Sequence, residues 1–335
     1  MSILFTPYRI GTLEVPNRFV RSATGESACT DGRISEGMVR TYERLAQGGI
    51  GLILTGHAYI REEGKTHDEM TGIHHDGLLP ELRRWTERVH SVASLTQCDT
   101  KIVMQINHRA MDPNELDPSE IQAILRAFAE AAGRVKRAGF DGVQVHAAHG
   151  FLLSQFMSPR ANRRTDEWGG IQLAEEVLRA VRKEIGTDYP LLVKFNCDSL
   201  EPGSLTSDES AAVARALEEA GADAIEVSGA SAAQKNIRRA AQEAYFASYA
   251  QRIKESVGVP VILVGGLRSM ERMEEIVSEG VADFVSMSRP FIREPDLVVR
   301  FREGKRVTDC ISCSQCWSSK ETANRCGVLE KPPGS

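Results

Sequence analysis

The 335 residues contain no run of about 18 or more apolar residues, so no membrane-spanning helix is expected. Met1 to Pro7 has no charged-then-apolar leader, which argues against secretion and makes the cytoplasm the expected compartment. Positive charge is not in excess: 41 Lys and Arg stand against 46 Asp and Glu, for a net charge of −5. With no general basic field, neither nucleic acid nor an anionic membrane is an expected partner. A disulfide framework is missing too. Cys29, Cys98 and Cys197 are scattered, while Cys310, Cys313, Cys316 and Cys326 crowd the C-terminus. No sequence repeat or low-complexity run stands out. What remains is ordinary globular composition, 41% hydrophobic and 26% charged.

Eight short runs rich in β-branched residues recur along the chain: 19–24, 51–56, 101–107, 142–146, 191–196, 224–229, 259–266 and 284–289. Most are continuously apolar, as strands buried on both faces of a parallel sheet should be. Helix-length segments separate them. In Asp117 to Ala138, residues Ile121, Ile124, Leu125, Phe128, Ala132 and Val135 share one face. Asp117 is a natural N-cap, Pro118 suits the first turn, Glu120 sits at the capping-box position, and Gly139 ends the helix. Similar patterns run over 205–220 and 269–279. Eight β-then-α units predict an α/β fold of the (β/α)8 TIM-barrel kind. The competing doubly wound sheet would want GxGxxG after its first strand, and nothing near residue 24 supplies it. Residues 1–305 are expected to form the barrel, and 306–335 a cysteine-rich tail without strands.

Barrel enzymes build their sites at the C-terminal strand ends. Those ends carry Ser22-Ala23-Thr24, Gly56-His57, Gln105 and His108, His146 and His149, Lys194 and Asn196, Ser228-Gly229, Gly265-Gly266, and Ser288-Arg289. Each polar group closes an apolar run, a pattern that packing alone does not require. Gly265-Gly266 before a helix starting at Ser269, with Arg289 after the next strand, suits a phosphate. His146, His149 and His108 are compatible with a metal, or with two imidazoles holding a substrate oxygen. Lys194, inside an apolar strand, needs an electron-rich partner; the N1/O2 edge of a reduced flavin and the Glu226 carboxylate both qualify.

These motifs resemble the old yellow enzyme family of FMN-dependent, NADH:flavin oxidoreductases. The likeness runs through 4-LFTPYRIGTLEVPNRFVRSAT-24, 43-ERLAQGGIGLILTG-56, Gln105 and His108, 139-GFDGVQVHAAHGFLLSQFMSPRANRRTDEWGG-170 and 289-RPFIREPDLV-298. Cys310-x2-Cys313-x2-Cys316-x9-Cys326 is similar to the cysteine motif of the 2,4-dienoyl-CoA reductase and trimethylamine dehydrogenase branch, where it holds a [4Fe-4S] cluster. Zinc is the other occupant such a set allows.

The resemblance implies FMN, with NAD(P)H as reductant and a small-molecule substrate such as an activated alkene. Ser22, Ala23 and Thr24 would line one flavin face, and Gly56 and Gln105 would meet its edge. Lys194 would face N1/O2, and Gly265, Gly266, Ser288 and Arg289 would hold the phosphate. His146 and His149 would bind the substrate carbonyl, with Phe151 beside it. Two positions depart from the family. Phe151 stands where the family has a proton-donating tyrosine, and Gly25 where it has threonine or cysteine. The segments after His108 and around 169–181 are also shorter. An ene-reductase-like enzyme therefore competes with an amine- or C–H-oxidising dehydrogenase, and with a flavin electron-transfer protein that has lost enone reduction. A Schiff-base aldolase on Lys194 is the non-flavin alternative. The chain stops at Ser335 with no room for the extra nucleotide-binding domains of the iron–sulfur relatives. Electrons are thus expected from NAD(P)H at the barrel mouth or from a partner protein; a homo-oligomer is allowed.

Overall fold

The computed structural model describes residues 2–96, 98–198, 205–229, 242–319 and 321–330. The 331-KPPGS-335 stretch of the tail lies outside them. All eight expected strands form: β1 (Phe19–Arg21), β2 (Leu52–Leu54), β3 (Lys101–Asn107), β4 (Gly142–Ala147), β5 (Leu191–Asp198), β6 (Ala224–Gly229), β7 (Val261–Val264) and β8 (Phe284–Met287). They pair in parallel in the order β2-β1-β8-β7-β6-β5-β4-β3, and β2 pairs with β3 to close the ring. This is a (β/α)8 barrel.

Helices follow the strands around the outside: α1 (Glu36–Gln47), α2 (Leu79–Ser94), α3 (Pro118–Arg137), α4 (Gln172–Ile185), α5 (Ser207–Glu219), α6 (Ala247–Lys254), α7 (Met270–Ser278) and α8 (Leu297–Arg302). Local chemistry sets their ends. Asp117 accepts from the Glu120 N–H at 2.9 Å, as expected for the cap of α3. The reciprocal half of that capping box is diverted, because the Glu120 carboxylate accepts from Arg61 at 2.7 Å. A complete capping box forms instead at Thr206 and Glu209, starting α5. Gly139 and Gly280, with φ of 83° and 73°, supply the left-handed residue that stops α3 and α7.

Strand residues split by parity. Ile53, Met104, Val143, Val145, Val193, Phe195, Ile225 and Val227 face the helices and join the large outer core. Val20, Leu52, Leu54, Val103, Leu192, Ala224, Ile262 and Phe284 point inward and fill the barrel floor. An N-terminal hairpin, Tyr8–Ile10 with Leu13–Val15, plugs that floor through Ile10 and Val15. Further along β1, β3, β4, β5, β6 and β8 the inward positions are polar (Ser22, Gln105, Gln144, Lys194, Glu226 and Ser286), so the barrel is apolar at its base and largely polar toward its mouth.

The tail differs from expectation. It carries an antiparallel hairpin, Cys316–Ser319 with Thr322–Cys326, in which Cys316 sits opposite Cys326. Its residues show no apolar alternation, and docking rather than pattern supports it. Asn324 donates to the Gly25 carbonyl at 2.8 Å, and the Ser27 N–H donates to Ser318 at 3.3 Å. Gly37 on α1 lies so close to the Glu321 carbonyl that no side chain fits between them. The buried Glu294 anchors the start of the tail, accepting from the Asp309 N–H at 2.6 Å and from Lys305 at 3.1 Å.

Candidate active site

Two of the inward positions above the floor form a charged centre. Lys194 and Glu226 are opposite each other in the β5–β6 register, and both are buried. The Lys194 ammonium lies 3.4 Å from Glu226 Oε1 and donates to Ser22 Oγ at 2.8 Å. Ser22 in turn donates to Glu226 Oε1 at 2.7 Å. Ser286 donates to the same oxygen at 3.0 Å. Gln144 donates to Glu226 Oε2 at 3.1 Å, and Gln105 donates to Gln144 Oε1 at 2.7 Å. Breaking such a buried pair by removing one partner costs about 3–5 kcal/mol. Of the two partners foreseen for Lys194, the Glu226 carboxylate is therefore in place, and the ammonium still lines an open cleft.

That cleft opens at the barrel mouth. Ser22, Ala23, His149, Lys194, Gly265, Gly266, Ser288 and Arg289 are among its walls. Eight expected site residues are thus brought together. Thr24, Gly56 and Gln105 do not line it. Thr24 ties strand ends together through a 2.8 Å hydroxyl contact with Ser288. A Cβ at Gly56 would fall 2.7 Å from the Thr24 carbonyl, so glycine there is a packing requirement. Gly265 (φ 145°) and Gly266 (φ 72°) adopt backbone angles that side chains disfavour, with Tyr245 packed against both. The start of α7 is not available to an anion as expected. The Glu243 carboxylate already accepts from the Arg268 and Ser269 N–H groups, both at 2.9 Å. Arg289 bridges outward, donating to the Ser312 carbonyl at 3.2 Å and to Ser314 Oγ at 2.9 Å.

Beside Lys194, across the β4–β5 register, lies His146. Its Nδ1 is buried without a hydrogen-bond partner. His149 occupies a left-handed conformation (φ 60°) ahead of Gly150, which turns its ring back so that Nε2 meets Ser228 Oγ at 2.9 Å. The His146 and His149 rings are 5.1 Å apart. Phe151 lies 5.0 Å from His146, and His57 lies 5.1 Å from Phe151. Burial drives all three imidazoles toward the neutral form: His57 to about 4, His149 to about 3, and His146 well below its ordinary value. His57 thus joins the site; its place at the end of β2 was the only signal in the sequence. His108 turns away, its Nδ1 against the Arg109 carbonyl at 3.0 Å and its ring against Gly64. Among the described residues, no three His, Cys, Asp or Glu side chains converge on a point as a single metal ion needs.

On the outer side of Arg289, Cys310, Cys313, Cys316 and Cys326 line one small cavity with Arg293. Arg293 donates to Cys326 Sγ at 3.5 Å. Burial raises the Cys310 thiol and pushes Cys316 up to about 11, with Arg289 pulling both down.

A closed parallel barrel with a glycine- and arginine-lined cleft over a buried lysine belongs to the cofactor-binding barrel oxidoreductases. The family model for the NADH:flavin oxidoreductase / NADH oxidase family matches residues 3–112 and 94–307, and the chain belongs to that family. It is 33% identical over 342 residues to a metal reductase of Desulforamulus reducens, covering 94% of this chain and 51% of the relative. It is 32% identical over 350 residues to an NADH oxidase of Thermoanaerobacter brockii, covering 93% and 52%. The chain thus spans about half the length of these relatives. Among solved structures, a 2-naphthoyl-CoA reductase complex superposes with a TM-score of 0.83 at 25% identity, covering 90% of this chain and 52% of that one. Family membership supports FMN and a nicotinamide nucleotide as cofactors. Among the described residues, no helix is long and apolar enough to cross a membrane.

Proposed function

We propose that this chain is an FMN-dependent NAD(P)H oxidoreductase acting on a small organic substrate at the barrel mouth. The carrying observation is one continuous cleft with Gly265, Gly266 and Arg289 at one end and the Lys194 ammonium at the other. The residues fit FMN: close-approach glycines and a guanidinium for a phosphate, and a buried cation for the pyrimidine edge, with the orphaned His146 Nδ1 on the strand beside that cation. Bound there, FMN supplies the hydride-accepting and hydride-donating chemistry that the side chains lack. Ser22 and Ala23 form a wall of the cleft, and Thr24, Gly56 and Gln105 brace it from behind.

His146 and His149, held neutral, are placed to donate hydrogen bonds to a substrate carbonyl oxygen without burying a second positive charge beside Lys194. An activated alkene conjugated to such a carbonyl is the substrate class this arrangement suits. Phe151 packs against His146 and His57 and has no proton to give, so a proton must reach the substrate from water or an imidazole. That same residue favours a second reading, in which the barrel oxidises amines or C–H bonds, or passes electrons without reducing enones.

The barrel through residue 305 serves as the flavin unit and the following tail as a cluster unit. Cys310, Cys313, Cys316 and Cys326 would hold a [4Fe-4S] cluster. Four thiols line one cavity, and their x2-x2 spacing with a distant fourth suits an iron–sulfur cluster better than a single zinc. Arg289 lines both cavities. The protein is expected to work in the cytoplasm, with electrons from NAD(P)H or a partner protein.

The anaerobic visible spectrum tests the cofactors: flavin absorption near about 450 nm and a broad shoulder toward about 400 nm are expected. Stopped-flow mixing of the NAD(P)H-reduced protein with cyclohexenone tests the substrate class. Flavin reoxidation no faster than the enzyme-free rate would reject enone reduction and leave the second reading.

A further inference from the structure

The carboxylate of Glu226 lies at the centre of the barrel and takes no direct part in the reaction proposed above. It is fully buried and meets four groups: the Lys194 ammonium, the Ser22 and Ser286 hydroxyls, and the Gln144 amide. Its two oxygens divide the work. Oε1 collects the two hydroxyls and the ammonium, and Oε2 collects only Gln144.

That division fixes the direction of every bond in the chain. A carboxylate paired with an ammonium can only accept. Gln144 must therefore turn its NH2 toward Oε2, which leaves its carbonyl facing Gln105. Gln105 must then donate through Nε2 and keeps its own carbonyl for whatever lies beyond. A glutamine amide has two orientations of nearly equal shape, and Glu226 selects one of them two residues away. At the other end the same carboxylate sets the charge balance of Lys194. It faces the ammonium across a 3.4 Å gap, and the bridging Ser22 hydroxyl fixes where the ammonium points.

We propose that Glu226 is a positioning residue for the flavin's pyrimidine edge. Through the Ser22-bridged ion pair it moderates the positive charge that Lys194 presents there. The proposal rests on the FMN reading of the cleft. It identifies a residue that touches neither cofactor nor substrate yet governs how readily the bound flavin accepts electrons. A positive charge left uncompensated at that edge favours the electron-rich reduced cofactor, so loss of the carboxylate charge should make reduction easier.

The test is a spectroelectrochemical titration of the FMN-loaded protein. Glu226→Gln should shift the flavin midpoint to a more positive potential, while Glu226→Asp, which keeps the charge, should stay closer to the unsubstituted protein. Glu226→Gln protein carrying one FMN per chain at an unshifted midpoint overturns the proposal. Should Glu226→Gln not yield folded protein, Ser22→Ala removes the hydroxyl that bridges Lys194 to Glu226. It should shift the same midpoint, and an unshifted midpoint there overturns the charge-moderating role. An unsubstituted protein that takes up no FMN overturns the cofactor reading itself, and the positioning role with it.

Discussion

The ring of Phe151 lies 5.0 Å from the ring of His146 and tilts 51° to it. His57 flanks the same ring at 5.1 Å. General acid catalysis by a placed group contributes about 10²–10⁴-fold. Phe151→Tyr should raise the rate of cyclohexenone reduction by at least ~10-fold if proton delivery is limiting. Flavin reoxidation kinetics read this directly, and an unchanged rate would mean that protonation is served from elsewhere.

Arg289 faces two ways, toward the glycine pair and toward the loop carrying Cys313. Arg289→Ala removes a guanidinium–phosphate contact worth roughly 1.5–3 kcal/mol, so FMN affinity should fall about 10- to 100-fold. The same change frees the Ser312 carbonyl and Ser314 hydroxyl, so iron retention should fall with it. FMN binding by fluorescence quenching, unchanged in this variant, would remove Arg289 from the phosphate site.

His149 gives a pH dependence with a definite sign. Its folded value is about 3 against 6.5 for the free side chain, because burial and the Lys194 charge disfavour the imidazolium. Below pH 6.5 the unfolded chain therefore binds a proton that the native state refuses. Stability is then lost as pH falls, by up to ~1.4 kcal/mol per unit until the folded value is reached. Between pH 7 and 4.5 the group should account for roughly 2 kcal/mol. Urea denaturation should show a shallower acid-side loss for His149→Asn; parallel pH profiles for both proteins would contradict the burial argument.

The tail hairpin depends on the bare backbone of Gly37. A methyl group there collides with the Glu321 carbonyl, which cannot retreat without moving the hairpin. Gly37→Ala should raise hydrogen exchange across 322–326 and speed proteolysis of the tail, while α2 and α3 keep their protection. Unaltered exchange would show that the hairpin is held elsewhere.

Cysteine substitution separates the two occupants of the tail. Cys313→Ser should strip most of the iron and the absorption shoulder while FMN remains. Protein that arrives with zinc and no iron would exclude the cluster.

Much of this was readable in the chain. Parity was the strongest signal: Val103, Gln105 and Asn107, or Leu192, Lys194 and Asn196, put a floor residue and then polar residues on one face of a strand. Thr206 and Glu209 carried a readable capping box that actually closes, whereas Glu120 sat in the right place but found Arg61. That choice lay outside its own helix. The tail hairpin was not legible, because its polar residues show no strand alternation and its support comes from α1 and the loop after β1. Nor was Glu243, which takes the Arg268 and Ser269 N–H groups just ahead of α7, where a phosphate was expected.

The sequence by itself determined the barrel, the order of its strands and the ring of polar groups at their ends, because burial of apolar runs and helix-ending glycines act over a few residues. It also determined that residue 151 has no proton to give. Only the tertiary structure decided which of those polar groups meet. Lys194 could answer to a flavin or to Glu226, and the closing of β5 beside β6 places the ammonium 3.4 Å from that carboxylate while leaving it on the wall of the cleft. Partner choice between buried charges is settled by strand register and ring closure, which are properties of the whole barrel and of no single segment.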